Sequence, residues 1–232
     1  MRIKNIVRFC ALLILSILLA PLILIFILSN PIFDSTITTY LNDKFWNQNH
    51  DFVTQAFEQI PTARPGQTTL MLAADVSEQD AILPIEKGYT LIAHECMMNS
   101  CTFMPPKDSS VKIIHGFDSE SLPDLDVVMA RFIFPLYTPE KFEKIWQIID
   151  RKIKPGGYFI GNFFDPQFEI FKDKERKTMS FLGKDEILLL FKNYEIVKME
   201  VVKKISPAQN GLEYYYEIFA KKKDYGVFLY PR

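Results

Sequence analysis

Residues 70–95, LMLAADVSEQDAILPIEKGYTLIAHE, include two acids, Asp80 and Glu95, at positions that suit ligand chemistry. An apolar strand leads into a turn. A helix-like segment with Asp80 near its start follows, then a Gly-Tyr pair, then a second apolar strand that ends in Glu95. Units of this kind open nucleotide-binding α/β domains, where a glycine-rich first turn lets the backbone approach the ligand. Those glycines are missing here. Further on, Asp118 follows a third apolar segment, Ala130 and Arg131 end a fourth, and His94 and His115 end two of the strands. Each has a plainer reading. Glu95 can be a solvated strand end and Asp118 a turn residue. Asp80 can be a helix N-terminal acid favoured by the dipole. Arg131 can pair with an acid such as Glu140, and either histidine can be structural.

Other chemistries find no support. There is no G-x-S-x-G elbow and no P-loop. The three cysteines are Cys10, Cys96 and Cys101, without a C-x-x-C or His-x-His pattern, so no metal is expected. Cys96 and Cys101 are two ordinary thiols, or a disulfide if the compartment is oxidising. A formal net charge of −1 gives no basic field for nucleic acid. The 20 Phe and 10 Tyr point to a well-filled core rather than disorder.

The elements that must position these residues follow from hydrophobic period. Residues 33–60 are amphipathic and helix-like, with Ile37, Leu41, Phe45, Phe52, Phe57 and Ile60 facing inward, and PTARPG closes the segment. Strands are expected at residues 69–74, in YTLIAH, at 111–116 and at 124–132. Residues 78–87 look helical despite Pro84. The strongest helix is TPEKFEKIWQIIDRKI, with Thr138 as N-cap, Pro139 in the first turn, and Phe142, Ile145, Trp146, Ile149 and Ile153 on one face. KPGG stops it and GYFIGNFF starts a strand. A helix at 184–192 precedes two strands, YEIVKMEVV and EYYYEIFAK, which a short SPAQNG link should pair as an antiparallel hairpin. Strands alternating with helices give an α/β fold with a mostly parallel sheet and helices on both faces.

This ordered set resembles the class I S-adenosylmethionine-dependent methyltransferases, and among them the small tellurite-resistance-type subgroup. DAILPIEKGYTLIAHE is similar to the stretch after the family's first strand. DLDVVMARFIFPLYTPEKFEKIWQIIDRKIKPGGYFIGNFF is similar to its fourth strand, following helix, PGG turn and fifth strand. MSF with KDEILLLFKNYEIVKMEV resembles its late strand-turn-helix and penultimate strand, and EYYYEIFAKK its closing strand. The resemblance implies a Rossmann-like methyltransferase fold and S-adenosylmethionine as cofactor. It places Glu95 on the acid that binds the ribose hydroxyls, Asp80 on an acid just after the glycine turn, and Asp118 beside the acid after strand three. Arg131 then falls in the substrate pocket and Ala74 in the cofactor turn. No catalytic side chain is assigned, because the sulfonium itself activates the methyl group. The first motif departs from the family pattern: Leu72 replaces its leading acid, and Ala74, Val76 and Glu78 replace its three glycines. Val76 disfavours a positive φ. Glu78 sets a carboxylate near the cofactor's own. The resemblance therefore implies weak binding of the cofactor, or its loss.

Three segments are expected: a membrane anchor (1–30), an amphipathic lead-in (31–66) and a methyltransferase-like domain (67–232). The anchor rests on residues 9–28, uncharged and long enough to cross ~30 Å of hydrocarbon, which makes the lipid bilayer a partner. Arg2, Lys4 and Arg8 precede this run, and the positive-inside rule then places the main domain outside the cytoplasm. Cofactor supply argues for the cytoplasmic side. Three functions follow: a membrane-anchored methyltransferase with an unknown acceptor, an inactive pseudo-methyltransferase that binds or scaffolds partners at a membrane, or an exported α/β protein with a Cys96–Cys101 disulfide.

Overall fold

A computed structural model describes residues 50–73, 78–94, 111–114, 122–206 and 210–224, all within the compact unit Leu41–Arg232. Helix α1 (His50–Gln59) leads into β1 (Thr68–Ala73), α2 (Glu78–Glu86), β2 (Thr90–His94), β3 (Val111–Ile114) and β4 (Leu125–Arg131). A 3-10 turn at Phe134–Leu136 precedes α3 (Pro139–Lys152), β5 (Ile153–Phe164), α4 (Asp173–Arg176), α5 (Lys184–Leu190), β6 (Tyr194–Ile205) and β7 (Leu212–Lys222). The strands form one seven-stranded sheet in the order β3-β2-β1-β4-β5-β7-β6. Pairs from β3 to β5 are parallel; β7 runs antiparallel to both β5 and β6. The expected α/β sheet with its closing hairpin is thus present.

One face of the sheet packs on α1 and α2. Phe52, Val53, Phe57 and Ile60 of the lead-in share a buried cluster with Met71, Ala81, Leu91, Val127, Met129, Ile160 and Phe219. The lead-in helix therefore belongs to the same core as the sheet. The other face is aromatic: Phe134, Phe142, Trp146, Phe159, Phe163 and Phe191 interlock, with Trp146 5.0 Å from Phe191 and 5.3 Å from Phe159. These edge-to-face contacts add about 0.5–1.5 kcal/mol each beyond burial. Helix α3 matches its sequence signature. Thr138 caps it by accepting from the Lys141 amide at 3.4 Å, and Phe142, Ile145, Trp146 and Ile149 are buried.

Two local expectations need correction. KPGG does not simply separate helix from strand: Ile153 already pairs with Leu125, residues 154–157 bulge outward, and pairing resumes between Val127 and Tyr158. Gly156 takes φ +77 in that bulge, and a Cβ at Gly157 would come within 3.0 Å of the Asp126 carbonyl. MSF is not a strand. It is held as an irregular connection by Ser180, whose amide donates to the Pro135 carbonyl and whose hydroxyl donates to that of Tyr137.

Among the described residues no helix is long and apolar enough to cross a membrane; the 9–28 run lies outside them.

Candidate functional site

Parallel α/β sheets bind ligands beyond the carboxyl ends of their strands, near the point where strand order reverses. Here that point lies between β1 and β4, the strands that flank the reversal. Leu72, in the place of an acid, is fully buried inside β1. Glu78, in the place of the third glycine, opens α2 rather than lying in a turn. Ala74, Val76, Glu95, Cys96, Cys101, His115 and Asp118 lie outside the described residues. His94 is the last residue of β2 and half-buried.

Two of the residues singled out in sequence come together. The Arg131 guanidinium at the end of β4 donates to the Asp80 carboxylate in the first turn of α2, and their side chains are 5% and 3% exposed. The partner is thus Asp80, not Glu140. The pair ties the start of α2 to the tip of β4. The two opposite charges offset each other inside the fold.

The next residue carries unusual backbone. Phe132 has φ +50, uncommon for a bulky side chain. Its amide donates to Asn162 Oδ1 at 2.6 Å, and both residues are buried. Strand register explains the contact: Ala130 pairs with Gly161, so Asn162 of β5 lies alongside the end of β4. Gly161 is required there, because a Cβ would meet the Ala130 carbonyl at 2.6 Å.

Asn162 in turn pairs with Glu217 of β7. Arg131, Asn162 and Glu217 therefore form a polar row across adjacent strands of an otherwise apolar sheet. Aromatic rings border the row. Phe132 meets Tyr215 edge-on at 5.6 Å and Phe164 at 6.2 Å, and Phe164 stacks on Phe168 at 4.1 Å. Burial pushes the Tyr215 phenol well above its usual range; Glu217 and Glu213 add to the shift and Arg131 opposes it. Tyr137, behind β4, is raised to about 12 by burial.

On the opposite face Asp165, just past β5, accepts a hydrogen bond from the Tyr216 hydroxyl at 2.8 Å. Among the described residues, Asp80, Arg131, Asn162 and Asp165 thus lie toward the carboxyl ends of β4 and β5. A depression of about 290 Å³ lined by Asp124, Ile148, Arg151 and Lys152 lies at the other end of β4 and is unrelated to them. No group of three or more metal-ligating side chains is found among the described residues.

Sequence reasoning passed over the Asn162–Phe132 bond, for which a lone Asn inside an aromatic strand was the available signal. It also passed over the Asp165–Tyr216 bond and the buried Glu213 and Glu217.

Solved structures show the same framework. TehB from Haemophilus influenzae aligns over 78% of this chain with 14% identity and a TM-score of 0.56; the chain spans 65% of that protein's length. The fold is that of the class I methyltransferases. A methyltransferase from Archaeoglobus fulgidus aligns over 82% of this chain and all of its own, at 15% identity and a TM-score of 0.55. The 1,6-didemethyltoxoflavin-N1-methyltransferase of Burkholderia thailandensis, solved with bound 1,6-didemethyltoxoflavin and S-adenosylhomocysteine, aligns over 83% of this chain and 88% of its own, at 15% identity and a TM-score of 0.53. No family model and no curated protein matches the sequence. In methyltransferase terms, Asp80 and Arg131 join the helix after the first strand to the tip of the fourth.

Proposed function

We propose that this chain is an S-adenosylmethionine-dependent methyltransferase, tethered to a membrane by residues 9–28, whose acceptor is unknown. The observation that supports it is the polar row of Arg131, Asn162 and Glu217, with Asp80 against Arg131, at the ligand-binding end of a methyltransferase sheet. Glu95 would hold the ribose, Ala74 and Asp118 would border the cofactor, and Arg131 the acceptor. Bound S-adenosylmethionine would supply a methyl group on a sulfonium that needs alignment rather than a protein nucleophile. Phe132, Phe164 and Tyr215, which border the row, are themselves buried. Asn162 fixes the backbone at Phe132 and so orients the ring.

A second reading is an inactive domain on the same fold that binds or scaffolds partners at the membrane. Fully buried, aliphatic Leu72 in the place of the leading acid favours it. Calorimetric titration of the full chain, in mild detergent, with S-adenosylmethionine and S-adenosylhomocysteine separates the two. Micromolar binding that is abolished by Glu95→Ala supports the enzyme. A folded chain that gives no heat at millimolar ligand supports the inactive domain. A reporter at the C-terminus tests the tether and the side on which the domain lies.

A further inference from the structure

Strand β6 forms an outer edge of the sheet and pairs only with β7 among the described residues. Natural edge strands usually carry charges or bulges that block pairing with another chain. β6 has one such irregularity, a register shift between Ile196 and Lys198. Even so, Val197, Val201 and Ile205 are 40%, 53% and 60% exposed. Among the described residues nothing pairs with this edge, and the order of charges along β6 indicates what could.

A two-fold self-pairing of β6 that extends the sheet must centre on a residue, because side chains alternate faces and each face must meet itself. Centring on Lys198 or Glu200 would set like charges against each other on the axis. Centring on Val201 would set Lys198 opposite Lys204. Centring on Val202 would match Glu200 with Lys204 but set Val201 against Lys203. Centring on Met199 places Lys198 opposite Glu200 twice, within the regular stretch of β6 that starts after the irregularity at Val197. Lys198 and Glu200 already lie 2.6 Å apart within one chain, so this register builds an alternating square of two lysines and two glutamates.

We propose that the β6 edge docks a second copy of this chain as an antiparallel β6–β6 ladder centred on Met199, joining two sheets into one. Directly opposed charge pairs are what stabilise such a junction, and Val201 lies next to them on the same edge. The inference does not depend on the methyl-transfer reading.

Sedimentation of the full chain in mild detergent, over a range of concentrations, tests it. The unaltered chain should form a dimer. Glu200→Lys, which places lysines opposite one another, should weaken dimerisation by roughly tenfold. Adding Lys198→Glu to that variant should restore it. Circular dichroism checks that each variant stays folded. A chain that remains monomeric overturns the proposal. So does association that no β6 variant changes, which would place the contact elsewhere in the chain, and so does rescue of Glu200→Lys by Lys204→Glu in place of Lys198→Glu. A monomer that instead pellets with phosphatidylcholine vesicles, and stops doing so as Val201→Lys, overturns it in favour of a lipid surface.

Discussion

Asp80 and Arg131 decide most at the scale of single residues. Removing one partner of a buried ion pair strips the other of its opposite charge, which costs about 3–5 kcal/mol. Arg131→Met should therefore lower the denaturant midpoint sharply, and Asp80→Leu added to Arg131→Met should recover most of the loss. Asn162→Leu removes the acceptor for a buried amide and should cost about 1–3 kcal/mol by the same measurement. Both members of the ion pair were visible in the sequence, since each stands where an apolar segment meets a turn. Their partnership was not: they lie 51 positions apart, and only the parallel β1–β4 pairing brings them together. The positive φ at Phe132 was hidden for a different reason. A bulky aromatic disfavours that conformation, so its type argues against what the backbone does there.

Among the elements, period and caps carried most of the information. Helix α3 is legible because its cap, its proline and its apolar stripe agree, and β6–β7 because a short polar link joins two alternating strands. Where the reading slipped, at KPGG and MSF, tertiary pairing overrode local signals: Ile153 joins Leu125 before the glycines, and Ser180 is held by Pro135 and Tyr137.

The start of the central strands offers a test with pH. Asp126 accepts from Lys154 Nζ at 2.8 Å, the Thr68 amide at 2.9 Å and Gln67 at 2.7 Å. Burial alone pushes its carboxyl upward, but the hydrogen bonds from Lys154, Thr68 and Gln67 outweigh it and hold the group below its ordinary value. A carboxyl lowered on folding adds stability that is present above its unfolded value and is lost as pH falls through the folded one. Stability should therefore decline as pH falls below about 4, and Asp126→Asn should flatten that decline in acid denaturation. The neighbouring Thr69 gives the opposite kind of result. Its hydroxyl is fully buried without a hydrogen-bond partner, so Thr69→Val should raise stability by about 1 kcal/mol or leave it unchanged, as read from thermal unfolding.

For the molecule as a whole, alternating strands and helices indicated the fold class, but the strand order came into view only with the structure. Hydrophobic period says which segments are strands and not which are neighbours. The departures at Leu72, Ala74, Val76 and Glu78 likewise leave the framework intact, because the core is built from Met71, Leu91, Val127, Met129 and their neighbours rather than from the turn. Fold and ligand binding are therefore separable here, and binding is the central claim. The most direct measurement is the crystal structure of the chain grown with S-adenosylhomocysteine. The account predicts the nucleoside across the carboxyl ends of β1, β2 and β4, with its ribose hydroxyls on the Glu95 carboxylate. A structure in which the side chains of Ala74, Val76 and Glu78 fill that hollow, with no ligand beside Glu95, would contradict it.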